Sequence, residues 1–225
     1  MDRPHPDPAQ DPLAARLAAL RTEYASTGLD EDAVGDDPLP TLRAWLADAV
    51  ASGMHEPNAM ALATATPDGV PSVRIVLLKG FDERGLVLYT GYGSRKGAEL
   101  AANPRAAATL LWHPLQRQVR VEGRVERVSA RESDDYFASR PHGSQVGAVA
   151  SQQSRPVADR TSLEAQARAV AAEVGDGPVA RPADWGGFRV ALDVVELWQG
   201  RADRLHDRLR FTRDGDGWTR ERLQP

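Results

Sequence analysis

Between Tyr89 and Gly97 the chain reads Tyr-Thr-Gly-Tyr-Gly-Ser-Arg-Lys-Gly. A strand that passes through a glycine-rich loop into a hydroxyl-capped helix offers free backbone N–H groups and the positive end of a helix dipole to an anion. Ser94, Arg95 and Lys96 add donors and charge at the same place. The glycines at 91, 93 and 97 fit neither the dinucleotide fingerprint nor a nucleoside-triphosphate loop. A tight turn that needs glycine accounts for them equally well. Upstream, Arg74-Ile75-Val-Leu-Leu-Lys79 carries a cation at each end, and strand alternation puts the two on opposite faces unless a bulge intervenes. Of 28 basic residues only Lys79 and Lys96 are lysine. A compact ammonium does what a wide guanidinium fork does not, which marks both positions in a chain that otherwise uses arginine.

Two further groups have the right chemistry. Tyr136, Arg140 and Ser144 recur at four-residue steps across a predicted helix end, a three-donor set suited to a phosphomonoester; a solvated helix end explains the same residues. Arg204-Leu-His206-Asp-Arg208 follows Trp198-Gln-Gly, and strand alternation places Arg204, His206 and Arg208 on one side, with Asp207 free to pair with either arginine. The other histidines, 5, 55, 113 and 142, lack metal-ligand spacing, so no metal is expected.

The elements that must position these residues are legible from periodicity. Residues 1–10 are proline-rich without apolar pattern, a disordered lead, and 11–225 read as a single domain. Asp11-Pro12 opens a helix carrying Leu13, Leu17, Leu20 and Tyr24, stopped by Gly28. A second starts near Pro38–Thr41, presents Leu42, Trp45, Leu46, Ala49 and Val50, and stops at Gly53. Strands are expected at Ala59–Thr66, Val70–Lys79, Leu86–Thr90, Ala106–Trp112, Arg117–Val128, Phe188–Leu192, Val194–Gln199 and Leu209–Arg213, with a last one at Trp218. Helices start at Ser94, at the capping box Ser129/Glu132, and span about Arg160–Val174. This is an α+β pattern, mainly β, with peripheral helices, and it favours a closed or split antiparallel barrel.

Composition narrows the function classes. Hydrophobic residues make up 41% and charged residues 27%, near globular averages, and no apolar run is long enough to span a bilayer. The absence of cysteine rules out disulfides and thiolate chemistry and fits a cytoplasmic location. Residues 1–40 hold nine acidic and three basic residues of a net charge of −4, so the body is mildly basic. That is too weak for a nucleic-acid footprint and compatible with a pocket for small anions.

Taken in order, Arg-Ile-Val-Leu-Leu-Lys, Tyr-Thr with Ser-Arg-Lys, Arg117-Gln118-Val119, Ser139-Arg140-Pro141, Gln153-Ser154, Trp185-Gly-Gly-Phe-Arg189, Trp198-Gln-Gly and Arg204-Leu-His-Asp-Arg208 resemble the pyridoxine/pyridoxamine 5′-phosphate oxidase family, from about Ala19 to Pro225. The resemblance implies an antiparallel split β-barrel homodimer with two FMN sites at the subunit interface. It implies FMN contacts from Arg74, Ile75, Lys79, Tyr89, Thr90, Arg95, Lys96, Gln118, Gln153, Ser154, Trp198 and Arg208, with Arg74 and Lys96 on the phosphate. Lys79, Tyr136, Arg140 and Ser144 would hold the substrate phosphate, and Arg204 and His206, the implied catalytic pair, would lie over the pyridine ring. Arg21 to Tyr24 resemble a segment that closes over the site. The implied reaction is oxidation of pyridoxamine or pyridoxine 5′-phosphate by O2 to pyridoxal 5′-phosphate. Two departures stand out: Gly147-Ala148-Val149 replaces a common Gly-Ala-Trp, and Gly91 stands where asparagine is common. A same-fold flavin oxidase of phenazine type and a non-catalytic flavin or B6-phosphate carrier are the rival expectations.

Overall fold

The computed structural model describes residues 12–20, 23–24, 26 and 28–225. The expected disordered lead at 1–10, the Asp11 cap and Arg21 lie outside these residues.

Ten antiparallel strands build the core. They are β1 (Ala59–Ala65), β2 (Pro71–Leu77), β3 (Gly80–Asp82), β4 (Gly85–Gly91), β5 (Arg105–Trp112), β6 (Arg117–Arg127), β7 (Trp185–Val190), β8 (Val194–Gln199), β9 (Asp207–Asp214) and β10 (Gly217–Arg222). The main path runs β10-β9-β8-β6-β5-β1-β2, while β3 pairs with β4, β4 with β7, and β7 with β6. The long β6 joins the two halves. Its first part pairs with β8 through Arg117–Glu122 and its end with β7 through Val125–Arg127. Gly123 sits at the changeover, where a Cβ would come within 1.9 Å of the Ala191 carbonyl oxygen. Only glycine lets the two backbones approach so closely. The result is the curled, split barrel expected from the pattern.

Alternation sets which side chains face the core. Met60, Leu62 and Thr64 of β1 and Val119, Val121 and Val125 of β6 point inward, and Leu42, Trp45 and Ala49 close the core from α3 (Pro38–Ala51). Deleting Leu62 to alanine in such packing costs about 2–5 kcal/mol. Helices α4 (Arg95–Ala102), α5 (Ala130–Ser139), α6 (His142–Ala150) and α7 (Arg160–Val174) lie around the sheet, α4 capped by Ser94 and α5 by the Ser129/Glu132 box. Among the described residues no helix is long and apolar enough to cross a membrane.

Several expectations are corrected. The first helix, α1 (Pro12–Ala19), stops well before Gly28 and buries none of its residues; Leu13, Leu17 and Leu20 are exposed. A short helix α2 (Glu31–Val34), capped by Asp30, follows it. Val50 is exposed, because in the last turn of α3 it is Ala49 that faces the core and Val50 lies about 100° round the helix from it. The segment after Pro141 is helix α6, since proline occupies its N-cap position, where a missing N–H costs nothing. The strand from Val70 ends at Leu77, and β3 starts three residues later.

Candidate active site

Near the edge of β2 the chain forms a cleft of about 630 Å³, in the size range of small-ligand sites. Arg74, Ile75, Lys79, Tyr89, Thr90, Arg95, Lys96, Tyr136, Arg140, Gln153 and Ser154 all line it, together with Trp185. An adjoining cleft of about 710 Å³ shares Tyr89, Thr90, Arg140, Gln153 and Trp185 and adds Ser144. Twelve of the expected site residues therefore converge. Arg74 and Lys79 share this cleft although strict alternation separates them; β2 ends at Leu77, and the backbone N–H of Lys79 donates to Val87 of β4 at 2.8 Å.

The strand–loop–helix junction is built as its sequence suggests. Ser94 Oγ accepts the N–H of Gly97 at 3.3 Å, and Gly97 has no room for a side chain, since a Cβ would lie 2.3 Å from the Tyr92 carbonyl oxygen. Lys96 is 7% exposed, donates to Thr90 Oγ1 at 3.0 Å and Ser94 Oγ at 3.3 Å, and has no carboxylate partner among the described residues. Burial, and then the neighbouring Arg74, push its pKa down. A buried ammonium held only by hydroxyls is a charge that an incoming anion would neutralise. Gln153 fixes the loop by accepting from Thr90 Oγ1 at 2.8 Å and from the Gly91 N–H at 3.0 Å.

Tyr89 and Tyr136 stack at 3.8 Å between ring centroids, and Trp185 continues the aromatic wall 6.2 Å from Tyr136 at an interplanar angle of 2°. Arg140 lies 4.8 Å over the Trp185 ring, its Nη1 is buried without a hydrogen-bond partner among the described residues, and burial lowers its pKa. An orphaned cationic donor in a cleft fits a missing anionic oxygen. Two residues that sequence reasoning passed over support this wall. Gln145 donates to the carbonyls of Phe137, Ala138 and Arg140, pinning the α5–α6 corner that carries Arg140. Glu99 binds Arg74 and Arg95, and the Arg95/Glu99 spacing of four on α4 was the available signal.

The remaining expected residues gather elsewhere. Tyr24, Gln118 and Trp198 line a separate cavity of about 350 Å³, and His206 packs 5.3 Å from Tyr24 and 4.7 Å from Trp198 between ring centroids. Within this chain that cavity has no lining residue in common with the cationic cleft. The expected shared face of Arg204, His206 and Arg208 is not formed. Ala202–Arg204 make a 3-10 turn with positive φ at Asp203 (55°) and Arg204 (61°), and β9 starts only at Asp207. Arg204 is exposed, whereas Arg208 donates from Nε to buried Glu196 at 2.9 Å. Asp207 pairs with Arg222 and Arg201 rather than with Arg204 or Arg208. Among the described residues no three His, Asp or Glu side chains cluster as a metal site.

A split antiparallel barrel with a cationic, aromatic-walled cleft at a strand–loop–helix junction defines a class of small-ligand-binding proteins, and the comparisons narrow it. The family model "Pyridoxamine 5'-phosphate oxidase" matches residues 46–173, and "Pyridoxine 5'-phosphate oxidase C-terminal dimerisation region" matches 185–225. The pyridoxine/pyridoxamine 5′-phosphate oxidase of Rubrobacter xylanophilus is 55% identical, over 93% of this chain and 96% of that protein. Its counterpart from Burkholderia lata is 53% identical, over 93% and 99%. The crystal structure of PhzG from Burkholderia lata 383 in complex with tetrahydrophenazine-1-carboxylic acid superposes with a TM-score of 0.83 at 34% identity, over 91% of this chain and all of that one. The chain belongs to the pyridoxine/pyridoxamine 5′-phosphate oxidase family.

Proposed function

We propose that this protein is an FMN-dependent oxidase that converts pyridoxamine or pyridoxine 5′-phosphate to pyridoxal 5′-phosphate. The observation that carries the reading is that the buried ammonium of Lys96 and the buried, orphaned Nη1 of Arg140 both line one aromatic-walled cleft. Two anion anchors in one pocket suit a phosphorylated cofactor beside a phosphorylated substrate.

Lys96, Arg74 and Arg95, with the loop at Gly91–Ser94, would hold the FMN phosphate, and Thr90, Gln153 and Ser154 its neighbouring atoms. Gln118, Trp198 and Arg208 would complete the flavin contacts from a second copy, which makes the active form a homodimer. The dimerisation-region match and the exposed apolar side chains of Val73, Ile75, Leu111 and Leu205 support that assembly. When bound, FMN supplies hydride acceptance and electron transfer to dioxygen. The chain's own residues orient the reaction: Lys79, Tyr136, Arg140 and Ser144 anchor the substrate phosphate, which fixes the distance of the reacting carbon. Arg204 and His206 position the pyridine ring, with His206 offering a proton at Nε2. For the amine, water and O2 are consumed and ammonia and H2O2 released with the aldehyde; for the alcohol, O2 is consumed and H2O2 released.

The phenazine-type alternative draws support from the close superposition on PhzG. One organism separates the two readings: the Burkholderia lata B6-phosphate oxidase is 53% identical to this chain and the Burkholderia lata PhzG 34%. Purified protein supplied with FMN and pyridoxamine 5′-phosphate in air should form aldehyde and H2O2 in equal amounts. Turnover of tetrahydrophenazine-1-carboxylic acid but of neither B6 phosphate would overturn the assignment.

A further inference from the structure

Glu99 sits on α4 one turn after Arg95 and is 6% exposed. Its Oε2 accepts hydrogen bonds from the hydroxyls of Thr64 and Ser72, each at 2.5 Å, and from Arg74 Nη2 at 3.3 Å. Its Oε1 accepts from Arg95 Nε at 2.9 Å. So many donors to the charged form hold the carboxyl at a pKa of about 2, the Ser72 and Thr64 hydroxyls contributing most.

The two arginines it binds end up unlike each other. Arg74 directs Nη1 to the Leu62 carbonyl at 3.2 Å and to Thr64 Oγ1 at 2.5 Å, and Nη2 to Ser72 Oγ and Glu99. Its terminal nitrogens are thereby engaged inside the protein, leaving Nε and the net charge. Arg95 gives Glu99 only its Nε; its terminal nitrogens have no hydrogen-bond partner among the described residues, and its side chain is 60% exposed at the cleft. Arginine binds phosphate best through two parallel N–H bonds, and of the two arginines on Glu99 it is Arg95 whose fork is free.

We propose that Glu99 is the positioning residue of the phosphate site: it grips Arg95 by Nε so that the open fork faces the cleft, and it locks Arg74 behind as a fixed charge. This rests on the phosphate-binding reading of the cleft given above. With Arg74, Arg95 and Lys96 against Glu99 the nest carries a net charge of about +2, which matches the roughly −1.5 to −2 of a phosphomonoester.

The test is the affinity ratio of FMN to riboflavin, the same ring system without the phosphate, measured by fluorescence titration of apo-protein. Glu99→Gln removes a negative charge, so simple Coulomb attraction requires tighter FMN binding. Positioning requires the reverse: FMN affinity down by roughly tenfold with riboflavin affinity unchanged. Tighter or unchanged FMN binding overturns the proposal. Should Glu99→Gln fail to fold, Arg95→Lys keeps the charge and removes the fork on an exposed side chain. It should cut the ratio by roughly tenfold, and more than Arg74→Lys does; the opposite ranking overturns the division of roles. A wild-type protein that binds riboflavin as tightly as FMN overturns the phosphate-site reading itself, an outcome distinct from either variant result.

Discussion

The backbone N–H of Arg201 donates to Nδ1 of His206 at 3.1 Å. A backbone N–H can only donate, so Nδ1 carries no proton and the neutral ring holds its proton at Nε2. Burial, then the nearby Arg204, lowers the His206 pKa below the ordinary histidine value of 6.5, with Asp207 opposing. If the neutral ring positions the substrate as proposed, kcat/KM should rise with pH to a plateau already reached near neutrality. Stability follows the same sign. Above about pH 6.5 both folded and unfolded rings are neutral; as pH falls below it the unfolded ring protonates first, so stability declines toward the folded pKa. His206→Ala should remove the acid limb of the rate profile and lower kcat more than it raises KM, because positioning is realised chiefly in the transition state. An acid limb unchanged in the variant would assign it to another group.

Lys96→Met exchanges the buried ammonium for an apolar chain of similar length. Its hydroxyl partners keep other bonds, Thr90 to Gln153 and Ser94 to the Gly97 N–H. With the desolvation cost removed, the apo-protein should melt at the same or a higher temperature. FMN affinity should meanwhile fall by roughly 10- to 150-fold, the worth of a charge-assisted phosphate contact. Apo melting several degrees lower with unchanged FMN affinity would mark Lys96 as a structural cation.

What the sequence revealed, and what it hid, has a physical pattern. Alternation in β1 and β6 and the caps Ser94 and Ser129/Glu132 are local, and the structure has them where the residues suggest. Arg74 and Lys79 were misplaced relative to each other because the end of a strand depends on its partners; β2 stops at Leu77, where Leu78 donates to Asn58 and Lys79 to Val87. The row Arg204, His206, Arg208 failed for a related reason. Its turn takes positive φ at two non-glycine residues, a conformation the residue types do not announce. Gln145, and Glu99 in its bonds to Thr64, Ser72 and Arg74, work through contacts 5–35 residues away, which periodicity does not register; the Arg95–Glu99 step of four alone was local.

Arg140→Ala should separate binding from folding. Nη1 has no partner to lose, and the contact over Trp185 is worth about 1 kcal/mol or less at a half-exposed position. Thermal stability should therefore change little. Losing a phosphate clamp removes binding shared by ground and transition states, so KM should rise by roughly tenfold or more while kcat falls less. Steady-state kinetics with flavin content checked decides this; a fall in kcat at constant KM would place Arg140 with the ring-positioning group.

The separation of the cationic cleft from the His206 cavity within one chain yields the last prediction. Lys79 lines the cleft, whereas Arg204 belongs to the turn beside His206. In a homodimer whose sites each take Lys79 from one subunit and Arg204 from the other, Lys79→Ala and Arg204→Ala dimers are both inactive. Random reassortment of an equal mixture makes half the dimers mixed, and each mixed dimer has one site with both substitutions and one with neither. Activity should recover to about a quarter of wild type. If one chain supplied both residues to its own site, every site in the mixed dimer would carry one substitution and no activity would return. Mixing the two inactive proteins under conditions that exchange subunits, with FMN in excess, distinguishes the outcomes, and the absence of recovery despite proven exchange would rule out a site shared between chains.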